Sequence, residues 1–443
     1  MSIKQIISFF APEPPRALDE QELPEHRQVR MKMLRLQVFL SATFGYGFYY
    51  VCRLSLNVIK KPLIDHHILT ETQLGIVGSA LFFSYAVGKF VNGFLVDRSN
   101  IRRFMALGLF VSAIINLSMG FIDSFVLFVV LWGVNGWFQS MGAPPAIVSM
   151  SRWFNNKERG TYYGFFSASH NIGEAFTYIF TALLVSYAGW QWGFVGAFIA
   201  GILGVIIVLL WLHDSPEAKG LPPVMVSATK KDIGKLQLEV LKTPAIWILA
   251  ISSSLMYVSR YAITSWGMLF LQEHRGYGAV HASFIISISS ISGIFGNIFS
   301  GWVSDKFFNS SRNIPAFIFG VLNTLSIALF LLIPIGYEWV EYIAMVVFGF
   351  SIGVLICYLA GLMAVDIVPK RVSGAAIGVV GVASYIGAGL QDIVSGMLIE
   401  SGKTVQGNVV NYNFAPVLFF WIGAALLSVI LCLLIWNVKP KEE

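Results

Sequence analysis

Phe48-Tyr49-Tyr50-Val51-Cys52-Arg53 sets a guanidinium near the middle of an otherwise apolar run from about Leu36 to Lys60. A charge at bilayer depth costs about 2.5–3.5 kcal/mol on insertion scales, so an intramembrane arginine normally faces a bundle interior or an aqueous cavity and marks a substrate path. Tyr46, Tyr49 or Tyr50, and Arg53 recur at helical spacing and share a face, a polar stripe on an apolar helix. A counterpart lies in the run from about Pro244 to Gln272, where Met256-Tyr257-Val258-Ser259-Arg260 again puts a tyrosine three residues before an arginine, 207 residues after Arg53. Gly93-Phe94-Leu95-Val96-Asp97-Arg98 and Gly301-Trp302-Val303-Ser304-Asp305-Lys306 repeat 208 residues apart. The two halves read as copies, and each supplies one arginine.

Hydrophobic residues make up 56% of the 443 and charged residues 12%, against about 45–50% and about 25% in soluble domains. The chain reads as an all-α membrane protein with twelve transmembrane helices in two pseudo-symmetric six-helix halves. The expected organisation is a lead over residues 1–35, a first bundle over 36–212, a linker over 213–243, a second bundle over 244–436 and a tail over 437–443. Of the 30 Lys and Arg, 23 fall on the side of the termini and linker. Lys60, Lys61, Arg275 and Lys403 fall in loops on the other side, and Arg53, Lys89 and Arg260 lie inside helices. The positive-inside rule then puts both termini in the cytoplasm. The net charge of +6 is mostly this bias and gives no reason to propose nucleic acid as a partner.

Cys52, Cys357 and Cys432 lack metal-ligand spacing and read as small apolar residues. No nucleophile constellation, metal cluster or nucleotide loop argues for an enzyme, and no cofactor is expected. The first apolar patch, Ile6 to Ala11, is short and runs into Pro-Glu-Pro-Pro, so no cleavable signal is expected; at most Ile3 to Phe10 is an interfacial anchor.

The second helix carries Tyr85, Lys89 and Asn92 along one face, with Lys89 either lining the cavity or snorkelling to the interface. The fifth carries Ser169-His170-Asn171-Ile172-Gly173-Glu174, with His170 and Glu174 one turn apart. Glu174 reads as the partner of His170, a counter-ion to Lys89 or Arg53, or a proton site. Tyr358, Tyr385, Gln391 and Asp392 add polar groups to the tenth and eleventh helices; Asp392 either pairs with another helix or is hydrated near its helix end. Trp137-Phe138-Gln139-Ser140-Met141-Gly142-Ala143-Pro144-Pro145 breaks the fourth helix, which membranes tolerate beside protein or a watery cavity.

The loop holding Asp97 and Arg98, with its weaker copy at Asp305 and Lys306, resembles the major facilitator superfamily, in which such residues steady the closed arrangement and do not touch substrate. Further segments narrow the resemblance: Tyr49-Tyr50-Val51-Cys52-Arg53, Tyr85-Ala86-Val87-Gly88-Lys89-Phe90, Asp97-Arg98-Ser99-Asn100, Ser169-His170-Asn171-Ile172-Gly173 and the linker opening His213-Asp214-Ser215-Pro216. Together they resemble the organophosphate:phosphate antiporters. The resemblance implies that Arg53 and Arg260 clamp a phosphoryl group, that Lys89 and His170 sit close to it, and that Tyr46, Tyr50, Tyr257 and Tyr385 line the path. It implies a monomer in a bacterial inner membrane that exchanges an organic phosphate ester, of the glycerol 3-phosphate or hexose 6-phosphate class, for inorganic phosphate by alternating access. A membrane sensor of sugar phosphate with the same fold and a proton-coupled organic-anion symporter are the alternatives. The chain departs from the family at Leu54, where a Lys is usual, at Ser265, where an Asp precedes Trp266, and in the eighth helix, where serines replace a Glu. Glu174 and Asp392 stand where the family is small or neutral, so the charge network is expected to be rewired.

Overall fold

The computed structural model describes residues 9–18, 22–96, 98–224, 240–308, 312–368, 372–406 and 409–436. Asp97, the Pro369-Lys370-Arg371 turn, most of the proposed anchor and the 437–443 tail lie outside the described residues. The helices are α1 Pro24–Asp65, α2 Glu71–Val96, α3 Ile101–Met119, α4 Phe125–Trp153, α5 in two pieces, Asn156–Ser167 and Ser169–Ala188, and α6 Trp190–Trp211. After the linker come α7 Pro244–Glu273, α8 Ala279–Phe307, α9 Asn313–Leu332, α10 Glu338–Ile367, α11 Ser373–Ser401 and α12 Ala415–Leu434. Among the described residues ten of these are long and apolar enough to cross a membrane. The other two, α1 and α5, are those carrying Arg53 and the His170 and Glu174 side chains. The start of α1, the end of α6, the start of α7 and the end of α12 lie at one end of the bundle, called proximal below; the opposite end is distal.

Two boundaries differ from the sequence reading. Helix α1 begins at Pro24, a residue suited to a first turn, and runs on past Lys60 and Lys61, which are helical residues and not loop residues. Helix α12 starts only at Ala415, because a hairpin of β1 Lys403–Gln406 and β2 Val409–Tyr412 precedes it. That hairpin reaches across the bundle: Lys403 Nζ and Tyr412 OH both bond Glu71 Oε1 at the start of α2, at 2.7 and 2.5 Å.

Glycines set how closely the helices approach. A Cβ at Gly78 of α2 would fall 1.9 Å from Asp392 Oδ2 of α11, and one at Gly349 of α10 would fall 1.9 Å from the Ser289 carbonyl of α8. Small residues permit this contact where lipid gives helices no hydrophobic reason to associate. Within α7 the chain makes a π-helical turn over Ala262–Trp266, beginning two residues after Arg260. Such a turn frees backbone groups for other partners, and here the Thr264 carbonyl accepts bonds from Asn57 Nδ2 of α1, at 2.9 Å, and from Tyr178 OH of α5.

Further links between the first six and last six helices crowd the distal end: Lys60 to Ser265, Lys61 to Glu273, and Glu400 to the Thr72 amide. These contacts tie the two halves together at the distal end. At the proximal end the lead over 9–18 packs on the first half, with the Arg16 amide on the Glu217 carbonyl and Glu13 on Arg102. Asp214 of the linker, buried, accepts from the Ile101 amide at the start of α3 and from Arg152 Nη1, at 3.0 and 3.1 Å. A carboxylate at a helix N-terminus is favoured there by the dipole.

Beside Asp214, burial, with Lys219 and Arg102 nearby, pushes His213 from 6.5 down to about 4. The unfolded chain therefore takes up that proton first, and the contribution present above pH 6.5 is lost as the pH falls toward about 4. In detergent, the thermal midpoint of the wild type should fall more steeply over that window than that of His213→Gln. Parallel pH profiles would show that His213 does not carry this linkage.

Candidate functional site

Arg53 sits midway along α1 and is 4% exposed. Its guanidinium carbon lies 4.1 Å from the ring centre of Tyr85, 5.4 Å from Tyr50 and 5.9 Å from Tyr385. Cation–π attraction of this kind is worth about 2 kcal/mol when desolvated, which offsets part of the burial cost. Nε and Nη2 of Arg53 have no hydrogen-bond partner among the described residues. Two of its charge-assisted donors are thus unspent, held inside a ring of aromatics.

Arg260, from the other half, is 6% exposed and lies 5.8 and 5.4 Å from the Tyr257 and Tyr261 rings. Its Nη2 is 3.5 Å from Glu174 Oε2, and Glu174 Oε1 accepts from Ser290 Oγ of α8 at 2.9 Å. Glu174 is a counter-ion, but to Arg260 and not to Lys89 or Arg53 as the sequence reading had it. The two arginines converge on one aromatic cluster, since Tyr385 lies 4.5 Å from Tyr85 and 5.6 Å from Tyr257 by ring centres. Both also lie within electrostatic reach of the same six side chains, Tyr50, His170, Glu174, Tyr257, Tyr261 and Tyr385.

Lys89 turns toward α11: its Nζ is 5.4 Å from the Tyr385 ring and 3.3 Å from where a Gly381 Cβ would stand. It points along the cavity wall and not out to an interface. The His170 ring is 5.7 Å from Tyr50, and its buried Nε2 has no partner among the described residues. Tyr46 packs on Tyr50 and Phe166, at 5.5 and 5.3 Å. Tyr49 leaves the stripe: its hydroxyl bonds the Met105 carbonyl of α3 at 2.6 Å, so of the two tyrosines only Tyr50 faces the cluster. Tyr358 is fully buried and donates to the Ser300 carbonyl at 2.6 Å, joining α10 to α8 away from lipid.

Asp392 belongs to a different cluster. Its Oδ1 accepts from Ser265 Oγ and Trp266 Nε1, at 2.5 and 2.8 Å, and lies 3.6 Å from Lys60 Nζ. Of its two open readings, pairing with another helix is the one observed. Lys60, 1% exposed and 3.7 Å from the Trp266 ring, is the residue that sequence reasoning missed, because its place near the end of an apolar run resembled a loop. Asp214 was also missed as a helix cap, although its linker segment stood out. Of the loop residues, Arg98 is exposed and Lys306 lies 4.9 Å from the Trp302 ring; the Asp305 side chain, like Asp97, lies outside what is described.

The two-half fold, with one buried arginine from each half reaching a shared aromatic cluster, is the architecture of a membrane carrier. The Major Facilitator Superfamily model matches residues 42–391. The chain is 32% identical to a "Probable hexose phosphate transport protein" of Chlamydia pneumoniae over 98% of both chains. It is 33% identical to the "Membrane sensor protein UhpC" of Salmonella typhimurium, over 82% of this chain and 84% of that one. The solved structure of the nucleoside transporter NupG, 16% identical, superposes with a TM-score of 0.74 over 91% of this chain and 100% of that one, which speaks for the fold alone. The chain belongs to the major facilitator superfamily and, within it, to the organophosphate:phosphate antiporter family. It is a multi-pass inner-membrane protein of a transporter family, not an enzyme.

The Lys60 and Asp392 pair bridges the halves in a dry setting, where removing one partner strands the other. Lys60→Met should lower stability by about 3–5 kcal/mol, read as a fall in thermal midpoint in detergent, and Lys60→Met with Asp392→Asn should recover most of it. Additive losses would mean that the pair is not coupled.

Proposed function

We propose that this transporter exchanges an organic phosphate ester for inorganic phosphate, acting as a monomer by alternating access between a first bundle (36–212) and a second (244–436). The observation that carries the reading is Arg53, buried with two guanidinium donors unspent beside the cluster that also receives Arg260. A phosphomonoester brings close to two negative charges and three acceptor oxygens. Arg53, Arg260 and Lys89 against one carboxylate, Glu174, leave a formal charge of +2 around Tyr385, which matches that ligand. Guanidinium groups suit the task because they stay protonated when desolvated and grip planar oxygen pairs with two donors.

Binding replaces Glu174 on Arg260 with a phosphoryl oxygen while Ser290 keeps the released carboxylate in place. Without an anion, closing both ends would dehydrate several like charges, at several kcal/mol per ion. Bound phosphate neutralises them and lets the halves rock, so a ligand must be carried in each direction. That is one-for-one exchange. With both termini in the cytoplasm, as the charge bias of the loops favours, the distal end, where the halves are tied, is external.

The likeness to UhpC keeps a sensor as the second reading, since a sensor needs the same site without the transport. Liposomes loaded with labelled phosphate separate the two: glycerol 3-phosphate or glucose 6-phosphate outside should drive counterflow, and none would be seen for a sensor. A proton symporter using Glu174 would instead lose uptake with an uncoupler and need no internal phosphate. Arg53→Lys and Arg260→Lys should each cut exchange roughly 100-fold, the value of one lost charge-assisted bidentate contact, with expression intact. Normal exchange in either variant would count against the clamp.

A further inference from the structure

A cleft of about 380 Å³ lies at the proximal end, where the lead, the first turn of α3 and the linker meet. Arg16 of the lead, Arg102 and Arg103 of α3 and Lys219 of the linker line it, with Glu13 the one acid among the described residues of the lining. Oε1 of Glu13 is taken by Arg102 Nη2 at 2.6 Å, and Arg16, Arg103 and Lys219 form no ion pair among the described residues. Four cations against one carboxylate leave a formal charge of +3. Asp214 does not offset it, because its oxygens are spent on the Glu13 and Ile101 amides and on Arg152. Partial burial, opposed by Glu13 and reinforced by Arg102 and Arg16, holds the pKa of Lys219 below its ordinary value. Backbone bonds fix the walls: the Asn100 amide meets the Phe10 carbonyl at 2.6 Å and the Arg16 amide the Glu217 carbonyl at 2.9 Å, while Pro14 and Pro15 restrict the chain between them. The cations are thus gathered before any ligand arrives, which lowers the cost of binding an anion.

The place of the cleft in the bilayer follows from α3. Its 19 residues rise about 28 Å against about 30 Å of hydrocarbon, so Arg102 and Arg103 in its first turn stand at headgroup level. Arg103 also heads the outward face of that helix: Leu107, Phe110 and Ile114 follow at helical spacing, with Phe110 and Ile114 exposed, while Phe104, Met105, Ala106, Leu109 and Ala113 are buried. An exposed apolar stripe on a spanning helix faces acyl chains. The exposed ring of Phe9 lies 4.5 Å from the Arg103 guanidinium carbon and adds an aromatic at the same level. A lipid whose chain rests on Phe110 and Ile114 brings its phosphate to Arg103 and so to the cleft. A zwitterionic headgroup would set its own ammonium against the cations already there; an anionic one would not.

We propose that this cleft binds the headgroup phosphate of an anionic phospholipid from the leaflet at the proximal end, with Arg16, Arg103 and Lys219 as its cations. The bound lipid joins the lead and the linker to the first turn of α3, and so steadies the start of the segment that connects the two halves. The site is separate from the one that holds Arg53 and Arg260 and does not depend on what that site carries.

The test is native mass spectrometry of the delipidated full-length protein in detergent, titrated with phosphatidylglycerol or with phosphatidylcholine. Each basic side chain near a lipid surface is worth about fivefold in affinity, so the wild type should bind phosphatidylglycerol at least about tenfold more tightly than phosphatidylcholine. Arg16→Gln with Lys219→Gln should bring that preference below about threefold, whereas Arg16→Lys with Lys219→Arg, which keeps both charges, should retain it. Lys32→Gln with Lys242→Gln removes the same charge from exposed positions at the same end and should leave the preference unchanged. Equal binding of the two lipids by the wild type, or an equal loss in the Lys32 and Lys242 variant, would overturn the proposal. Release of bound phosphatidylglycerol by millimolar glycerol 3-phosphate would also overturn it, since the cleft would then be a site for free phosphate esters and not for a lipid.

Discussion

A guanidinium within hydrocarbon persists only where something other than bulk water holds it, and Arg53 is held by the faces of Tyr50, Tyr85 and Tyr385. Aromatic faces stabilise a cation without using its N–H groups. That distinction governs the site: a carboxylate partner would have consumed the donors, whereas tyrosine rings leave Nε and Nη2 available. Tyr85 and Tyr385 come from α2 and α11, one helix from each half, so the setting of Arg53 is itself built across the seam on which the carrier must move.

The second arginine is handled in the opposite way. Arg260 is neutralised by Glu174, and the distal end is tied by the buried pair of Lys60 and Asp392 together with the carbonyl that the π-helical turn releases at Thr264. The departures from the family pattern find their counterparts here. Asp392 of α11 reaches Ser265 and Trp266, supplying from another helix the carboxylate that position 265 lacks. Glu174 of α5 bonds Ser290, placing a carboxylate against the helix whose glutamate is missing. The charges have changed helix while staying in the same regions of the bundle, as expected where a buried ion without a partner costs several kcal/mol.

Much of this was legible in the sequence because bilayer energetics make charge conspicuous. Arg53, Arg260, Lys89, His170 and Glu174 each interrupt an apolar run, and all five converge on the Tyr50 and Tyr385 cluster. What stayed hidden was pairing across helices. Lys60 and Asp392 are far apart in the chain, neither carries a local signal of the other, and a lysine near the end of an apolar run has the same local pattern whether it is buried or snorkels into a loop. Tyr49 and Tyr50 are neighbours, so helical spacing alone could not say which faces the cavity; the Met105 carbonyl decides it. The hairpin of β1 and β2 falls in what the sequence reads as a loop between α11 and α12, where short polar strands carry little periodic signal.

Exchange by this route requires a single anion gripped by both guanidiniums. The most direct measurement is a crystal structure of the protein soaked with tungstate, a phosphate mimic located by its anomalous scattering. One anomalous peak within hydrogen-bond reach of both Arg53 and Arg260, with Glu174 displaced from Arg260, is the predicted result. A peak on one arginine alone, or separate peaks on each, would contradict it.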